Sequence, residues 1–129
     1  MSEFLNQAKL VGLTIITDVA RAKAFYIDVL GCELVGDDEY ALVLRANGSM
    51  IRLQKAKQHQ PLQSTVLGWN VPNVEAAVDA LEAKGVHCAQ YGFPFQDKRG
   101  IATFPNGDKV AWFKDPDGNV LSVAQLIRT

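Results

Sequence analysis

Polar and small residues interrupt an apolar stretch over Lys9–Thr17, rich in Val, Leu, Ile and Thr, and this composition predicts a strand. The pattern then changes. Val19, Ala22, Phe25, Tyr26 and Val29 recur at helical spacing, so Thr17 or Asp18 is expected to cap a helix that runs to Leu30 and stops at Gly31. Three short strands are predicted next, near Cys32–Gly36, Tyr40–Ala46 and Ser49–Lys55, with Asn47-Gly48 turning between the last two. Lys57–Pro61 is polar and proline-bounded and reads as a connector. The pattern then restarts. Gln63–Val71 predicts a strand, Asn73 a helix cap, and Val74, Ala77, Val78 and Leu81 the apolar stripe of a second helix closed by Gly85. Strands are predicted near His87–Tyr91, Lys109–Lys114 and Asn119–Leu126.

The sharpest local signal joins the last two of these, at Lys114-Asp115-Pro116-Asp117-Gly118-Asn119. Proline presets φ, while Gly118 and Asn119 tolerate the positive φ of a tight reversal. Gly92–Gly107 has no counterpart in the first half and has room for a short extra strand at Ile101–Phe104. The chain therefore reads as two βαβββ modules of an α+β fold, about 9–56 and 63–127, with a linker at 57–62. Neither half has strands enough to close a core alone, so the two are expected to pack as a single domain spanning 1–129.

Composition narrows the function classes. A net charge of −1, with Lys and Arg scattered along the chain, gives no electrostatic footprint for nucleic acid or an anionic membrane. No apolar run approaches the ~20 residues that cross a bilayer. Met1–Asn6 lacks a basic region followed by an apolar core, so no secretory signal is expected and the cytoplasm is the expected compartment. Cys32 and Cys88 are the only cysteines, with no C-x-x-C, and are expected to be buried and reduced.

Two segments carry a resemblance. Ala24–Gly31 (A-F-Y-I-D-V-L-G) and Trp112–Asn119 (W-F-K-D-P-D-G-N) resemble the glyoxalase/bleomycin-resistance/extradiol-dioxygenase superfamily, also called vicinal oxygen chelate proteins. The resemblance covers Lys9 to Leu126. It implies a cup-shaped, partly closed mixed sheet with helices outside, a ligand cavity inside, and a homodimer. Enzymes of that superfamily typically hold a divalent metal through four positions. Two lie in the opening strands, seven residues before the helix cap, and two in the closing strands, four residues after the turn glycine. In this sequence those positions are Val11, Val66, Arg52 and Ser122. Valine has no lone pair to offer, and a guanidinium repels a cation. A shift of one residue brings in only one side-chain oxygen, that of Thr65. No metal and no other cofactor is expected, and metal-dependent lyase or dioxygenase chemistry is disfavoured.

If the register holds, Val11, Leu13, Ile15, Met50, Arg52, Gln54, Val66, Gly68, Asn70, Val120, Ser122 and Ala124 share one face. The other face (Ile16, Ile51, Leu53, Leu67, Trp69, Val71, Leu121, Val123) is apolar and faces the helices. An apolar surface with a few polar groups suits a small molecule. The expected ligand-binding residues are Arg52, Gln54, Asn70, Ser122, Phe93, Phe95 and Trp112. Arg52 reads either as an anchor for an anionic or carbonyl-bearing ligand or as one arm of a surface ion pair. Phe93, Phe95 and Trp112 read either as a lid over a planar ligand or as rings that plug the open side of the cup or cover a dimer contact. His59 reads as solvated, His87 as the start of a strand with no acid or nucleophile beside it in sequence, Asp37-Asp38-Glu39 as an acidic hairpin tip rather than a metal cluster, and Asp115 and Asp117 as turn formers.

The leading expectation is a metal-independent protein that binds a small anionic or planar molecule in the cup of the sheet. One alternative is a glyoxalase-like lyase, isomerase or dioxygenase using a different site, with Tyr91, His87, Asp97, Arg52 and Ser122 as candidate groups. Another is an interaction module whose cup is filled by its own side chains.

Overall fold

The apolar stretch before Asp18 becomes strand β1 (Val11–Ile16), in which Thr14 and Ile16 are buried while Val11 and Leu13 are more than half exposed. The structure, a computed structural model, describes residues 4–127; Met1–Glu3, part of the start read above for a signal, lie outside them. The chain divides into two compact units between His59 and Gln60, inside the connector predicted at 57–62.

In the first unit the Asp18 carboxylate accepts the Arg21 N–H at 3.0 Å and caps helix α1 (Val19–Lys23). The helix does not keep the regular spacing that the sequence predicts to Leu30. From Ala24 to Val29 it widens into π-type turns, with Leu30 N–H donating to the Phe25 carbonyl at 2.9 Å. The wider turn narrows the angle between successive side chains. It lets consecutive rings Phe25 and Tyr26 both reach the core, where they meet edge to face at 5.4 Å. Strands β2 (Glu33–Asp37), β3 (Ala41–Ala46) and β4 (Ser49–Lys55) complete a four-stranded mixed sheet in the order β1-β4-β3-β2. β1 runs parallel to β4 and the other pairs are antiparallel. Asn47 (φ 48°) and Gly48 (φ 84°) turn β3 into β4 as a left-handed pair. Leu42, Leu44, Ile51 and Leu53 are buried on the core face with Ile16, Ala22 and Tyr26.

The second unit repeats the plan. β5 (Thr65–Asn70) leads to Asn73, whose side chain accepts the Ala76 N–H at 3.0 Å and caps α2 (Val74–Ala83). Val74, Val78 and Leu81 are the buried stripe of α2. β6 (Ala102–Thr103), β7 (Lys109–Lys114) and β8 (Val120–Gln125) pair in the order β5-β8-β7-β6, again a four-stranded mixed sheet. The fold is α+β, each module pairing one four-stranded mixed sheet with one capped helical segment. No helix among the described residues is long and apolar enough to cross a membrane.

Two expectations need correction. The strand predicted at His87–Tyr91 does not form; the short strand expected inside the insertion takes the sheet edge instead, as β6. Only Ala89 N–H, at 2.8 Å from the Trp112 carbonyl, reaches β7, because the neighbouring backbone groups are bonded into the insertion itself. In the turn after β7 only Gly118 (φ 86°) is left-handed; Asn119 serves through its amide, which donates to Asp115 Oδ2 at 2.8 Å.

Candidate ligand site

The insertion between α2 and β7 is held in shape by a few polar side chains. Gln96 Oε1 accepts the Tyr91 N–H, and Gln96 Nε2 donates to the carbonyls of Ala89 and Gly100, all at 2.8 Å. Asp97 accepts the N–H groups of Arg99 (2.8 Å) and Ile101 (2.9 Å). Gly100 (φ 89°) sits so close to the chain that a Cβ there would lie 2.9 Å from the Ala89 carbonyl oxygen. Arg99 reaches back to α2, with Nη2 at 2.6 Å from Asp79 and 2.9 Å from Glu82. Glu82 first, and then Asp79, hold its guanidinium more firmly protonated than usual.

This frame presents a file of aromatic rings. Trp112 on β7 meets Tyr91 and Phe93 edge to face, at 5.6 and 6.1 Å between ring centres. Phe93 stacks on Phe95 at 5.1 Å, and Phe95 contacts Phe104 at 5.2 Å. Tyr91, Phe93 and Trp112, with Val120 and the polar residues Gln63, Ser64 and Thr65, line an open cavity of about 370 Å³. None of these lining residues is charged.

The predicted site residues are distributed unevenly around this cavity. Phe93 and Trp112 wall it, and Phe95 backs Phe93. Ser122 shares a rung with Gly68 and Trp112, and its hydroxyl fills the space over Gly68, where a Cβ would lie 2.8 Å from the Ser122 Oγ. It is buried beside the cavity and does not line it. Asn70 stands at the other end of β5, about 17 Å along the strand. There it lines a separate depression with Val71, Pro72, Gln125 and Leu126. Arg52 and Gln54 belong to β4 of the first unit, on the face of Val11 and Leu13. Arg52 is half-buried between Leu13 and Val43 on neighbouring strands, with no hydrogen-bond or ion-pair partner among the described residues.

The pocket residues that sequence reasoning left out of the ligand set are Gln63, Ser64, Thr65, Tyr91 and Val120. The aromatic density of Tyr91–Phe95 was a usable signal for Tyr91. Nothing local marks Gln63-Ser64-Thr65, which reach the cavity because β5 lies beside β8.

The four positions that hold a metal in enzymes of the resembled superfamily do not fit one here. Val11 is paired in regular register with Met50, while Val66 falls in an irregularity where Thr65 and Leu67 oppose consecutive residues Val120 and Leu121. Arg52 is a cation, and the Ser122 hydroxyl is covered. Among the described residues no three of His, Cys, Asp and Glu come together. At the acidic tip, Lys55 (2.6 Å) and Lys23 (2.9 Å) bind Asp37 and hold its carboxyl below the usual range. The N–H groups of Tyr40 and Ala41 do the same for Asp38. Cys32 and Cys88 are free thiols; burial pushes both up, Cys88 to about 11.

The sequence profile described as Glyoxalase/Bleomycin resistance protein/Dioxygenase superfamily matches residues 11–123. Similar solved structures include an integron cassette protein from the mobile metagenome of the Halifax Harbour sewage outfall. It is 22% identical, with a TM-score of 0.71 over 93% of this chain and 99% of that one. A lactoylglutathione lyase from Agrobacterium tumefaciens is 18% identical, with a TM-score of 0.71 over 92% of this chain and 93% of the other. A superfamily member from Sphaerobacter thermophilus DSM 20745 is 19% identical, also at 0.71, over 92% and 97%. No curated protein matches the sequence.

Proposed function

Because the chain belongs to the Glyoxalase/Bleomycin resistance protein/Dioxygenase superfamily, we propose that it binds a small planar molecule in the aromatic cavity of its second module, without a metal ion. The observation that carries this reading is the cavity wall of Tyr91, Phe93 and Trp112, uncharged throughout and flanked by the polar side chains of Gln63, Ser64 and Thr65. A flat ring can lie on Phe93 or Trp112 while its edge exchanges hydrogen bonds with the Gln63 amide and the Ser64 and Thr65 hydroxyls. Such ring contacts contribute ~0.5–1.5 kcal/mol each beyond the area they bury. The four metal-holding positions supply no donor set, which separates this reading from lyase or dioxygenase chemistry. Likeness to the lyase from Agrobacterium tumefaciens is 18% in sequence and carries the fold only.

The test uses Trp112 emission in a Trp69→Phe background, titrated with 2-naphthol as a flat neutral probe. Saturable quenching is expected, weakened about tenfold by Phe93→Ala. A parallel melt with Ni²⁺, Zn²⁺, Mn²⁺ and Fe²⁺ is expected to show no rise, since only an ion that binds the native state raises the midpoint. Unquenched emission together with about one metal per chain and turnover on a superfamily substrate would hand the site to the enzyme reading.

A further inference from the structure

The first module holds a feature that the aromatic cavity does not use. β4 is an inner strand of its sheet, and Arg52 stands in the middle of it, on the face turned away from the buried Ile51 and Leu53. The rung through Arg52 reads Leu13, Arg52, Val43, Gly36, and the next one to face the same side, two residues along, reads Val11, Met50, Arg45, Glu33. Leu13 is 55% exposed and Val11 51%, so around Arg52 this is an open apolar floor. The other nearby cations are already committed. Arg45 is 3.4 Å from Glu33, and Lys55 is bound to Asp37. The carboxylate that feels the Arg52 charge, Asp38, is bonded to the N–H groups of Tyr40 and Ala41. Among the described residues Arg52 therefore keeps its planar fork of donors unspent.

A guanidinium half-sunk in apolar surface is favoured by one bidentate anion and disfavours being left dry and unpaired. We propose that this face is a second ligand site, selective for a small amphiphilic monocarboxylate. The carboxylate is held by Arg52, and its carbon chain lies on Leu13, Val11 and Val43. A dianion such as phosphate is the poorer fit, because one cation neutralises one charge and Asp38 repels the remainder. The inference stands on Arg52 and its rung, independently of the aromatic cavity.

Isothermal titration with sodium octanoate, and with octanamide as its uncharged counterpart, tests this on the intact chain. Octanoate is expected to bind one per chain, at least about tenfold tighter than octanamide. Arg52→Gln is expected to erase that difference, and Arg52→Lys to keep part of it, since an ammonium retains charge but loses the fork. Because Arg52 bonds to none of the described residues, Arg52→Gln is expected to melt within about 2 °C of the parent; if it does not, Arg52→Lys decides. Equal affinity for acid and amide, unchanged octanoate binding in both variants, or no octanoate binding at all would overturn the proposal. Octanoate has no ring to stack and 2-naphthol no carboxylate, so failure at one site is read separately from failure at the other.

Discussion

Asp115 is a carboxylate only 5% exposed, yet its oxygens are occupied: Oδ1 accepts the N–H groups of Asp117 and Asn119 at 2.9 Å, and Oδ2 accepts the Asn119 amide at 2.8 Å. Removing it strands two backbone donors and a side-chain amide in a buried turn. Asp115→Ala is expected to cost about 2–4 kcal/mol in urea unfolding, far more than a turn residue on the surface would. Cys88 gives a prediction on the alkaline side. Its thiol holds the proton more tightly folded than unfolded, being raised to about 11 by burial and then by the charge of Glu82. The stabilisation is complete below the ordinary thiol pKa of about 8.5 and is lost as pH climbs through the folded value. Cys88 is only half-buried, so solvent screening reduces the effect to about 1 kcal/mol. Comparing urea midpoints at pH of about 8 and about 11 for the parent and Cys88→Ser should show a smaller fall in the variant.

At the scale of elements, what the sequence made legible is what neighbouring residues decide among themselves. Asp18 and Asn73 cap their helices, Gly31 and Gly85 end them in left-handed conformations, and Asn47-Gly48 reverses the chain as expected. The departures come from partners distant in sequence. Ala102–Thr103 pairs with β7 where His87–Tyr91 was expected to, while Gln96, distant from β7 in sequence, takes up backbone groups of Ala89 and Tyr91. The irregularity at Val66 and the π-type turns after Lys23 likewise reflect sheet register and core packing, which no local pattern announces. The aromatic wall was legible as composition, while Gln63, Ser64 and Thr65 were not, because they join it only through strand pairing. Gln96→Ala removes three hydrogen bonds at once and is expected to cost about 1–3 kcal/mol and to shift Trp112 emission to the red. Arg99→Ala breaks ion pairs at the surface and is expected to leave the urea midpoint close to that of the parent.

On the scale of the whole molecule, the duplicated plan is preserved in strand order and lost in surface chemistry. Each sheet places its closing strand beside its opening one in parallel, β1 with β4 and β5 with β8. The first sheet then presents an apolar floor around the Arg52 guanidinium, and the second an uncharged aromatic wall built on an insertion that the first lacks. The two modules share one strand plan, and the differences between them mark where separate ligand chemistries are proposed.

Both tryptophans, Trp69 on β5 and Trp112 on β7, belong to the second module, whereas each module contributes one helical segment. Indole emission therefore reports on one half of the chain, while far-ultraviolet circular dichroism reports on both. Superimposable denaturation curves from the two probes are expected if the halves fold as one cooperative unit, as their strand count suggests. A dichroism curve with an additional step that emission does not follow would assign that step to residues before Gln60.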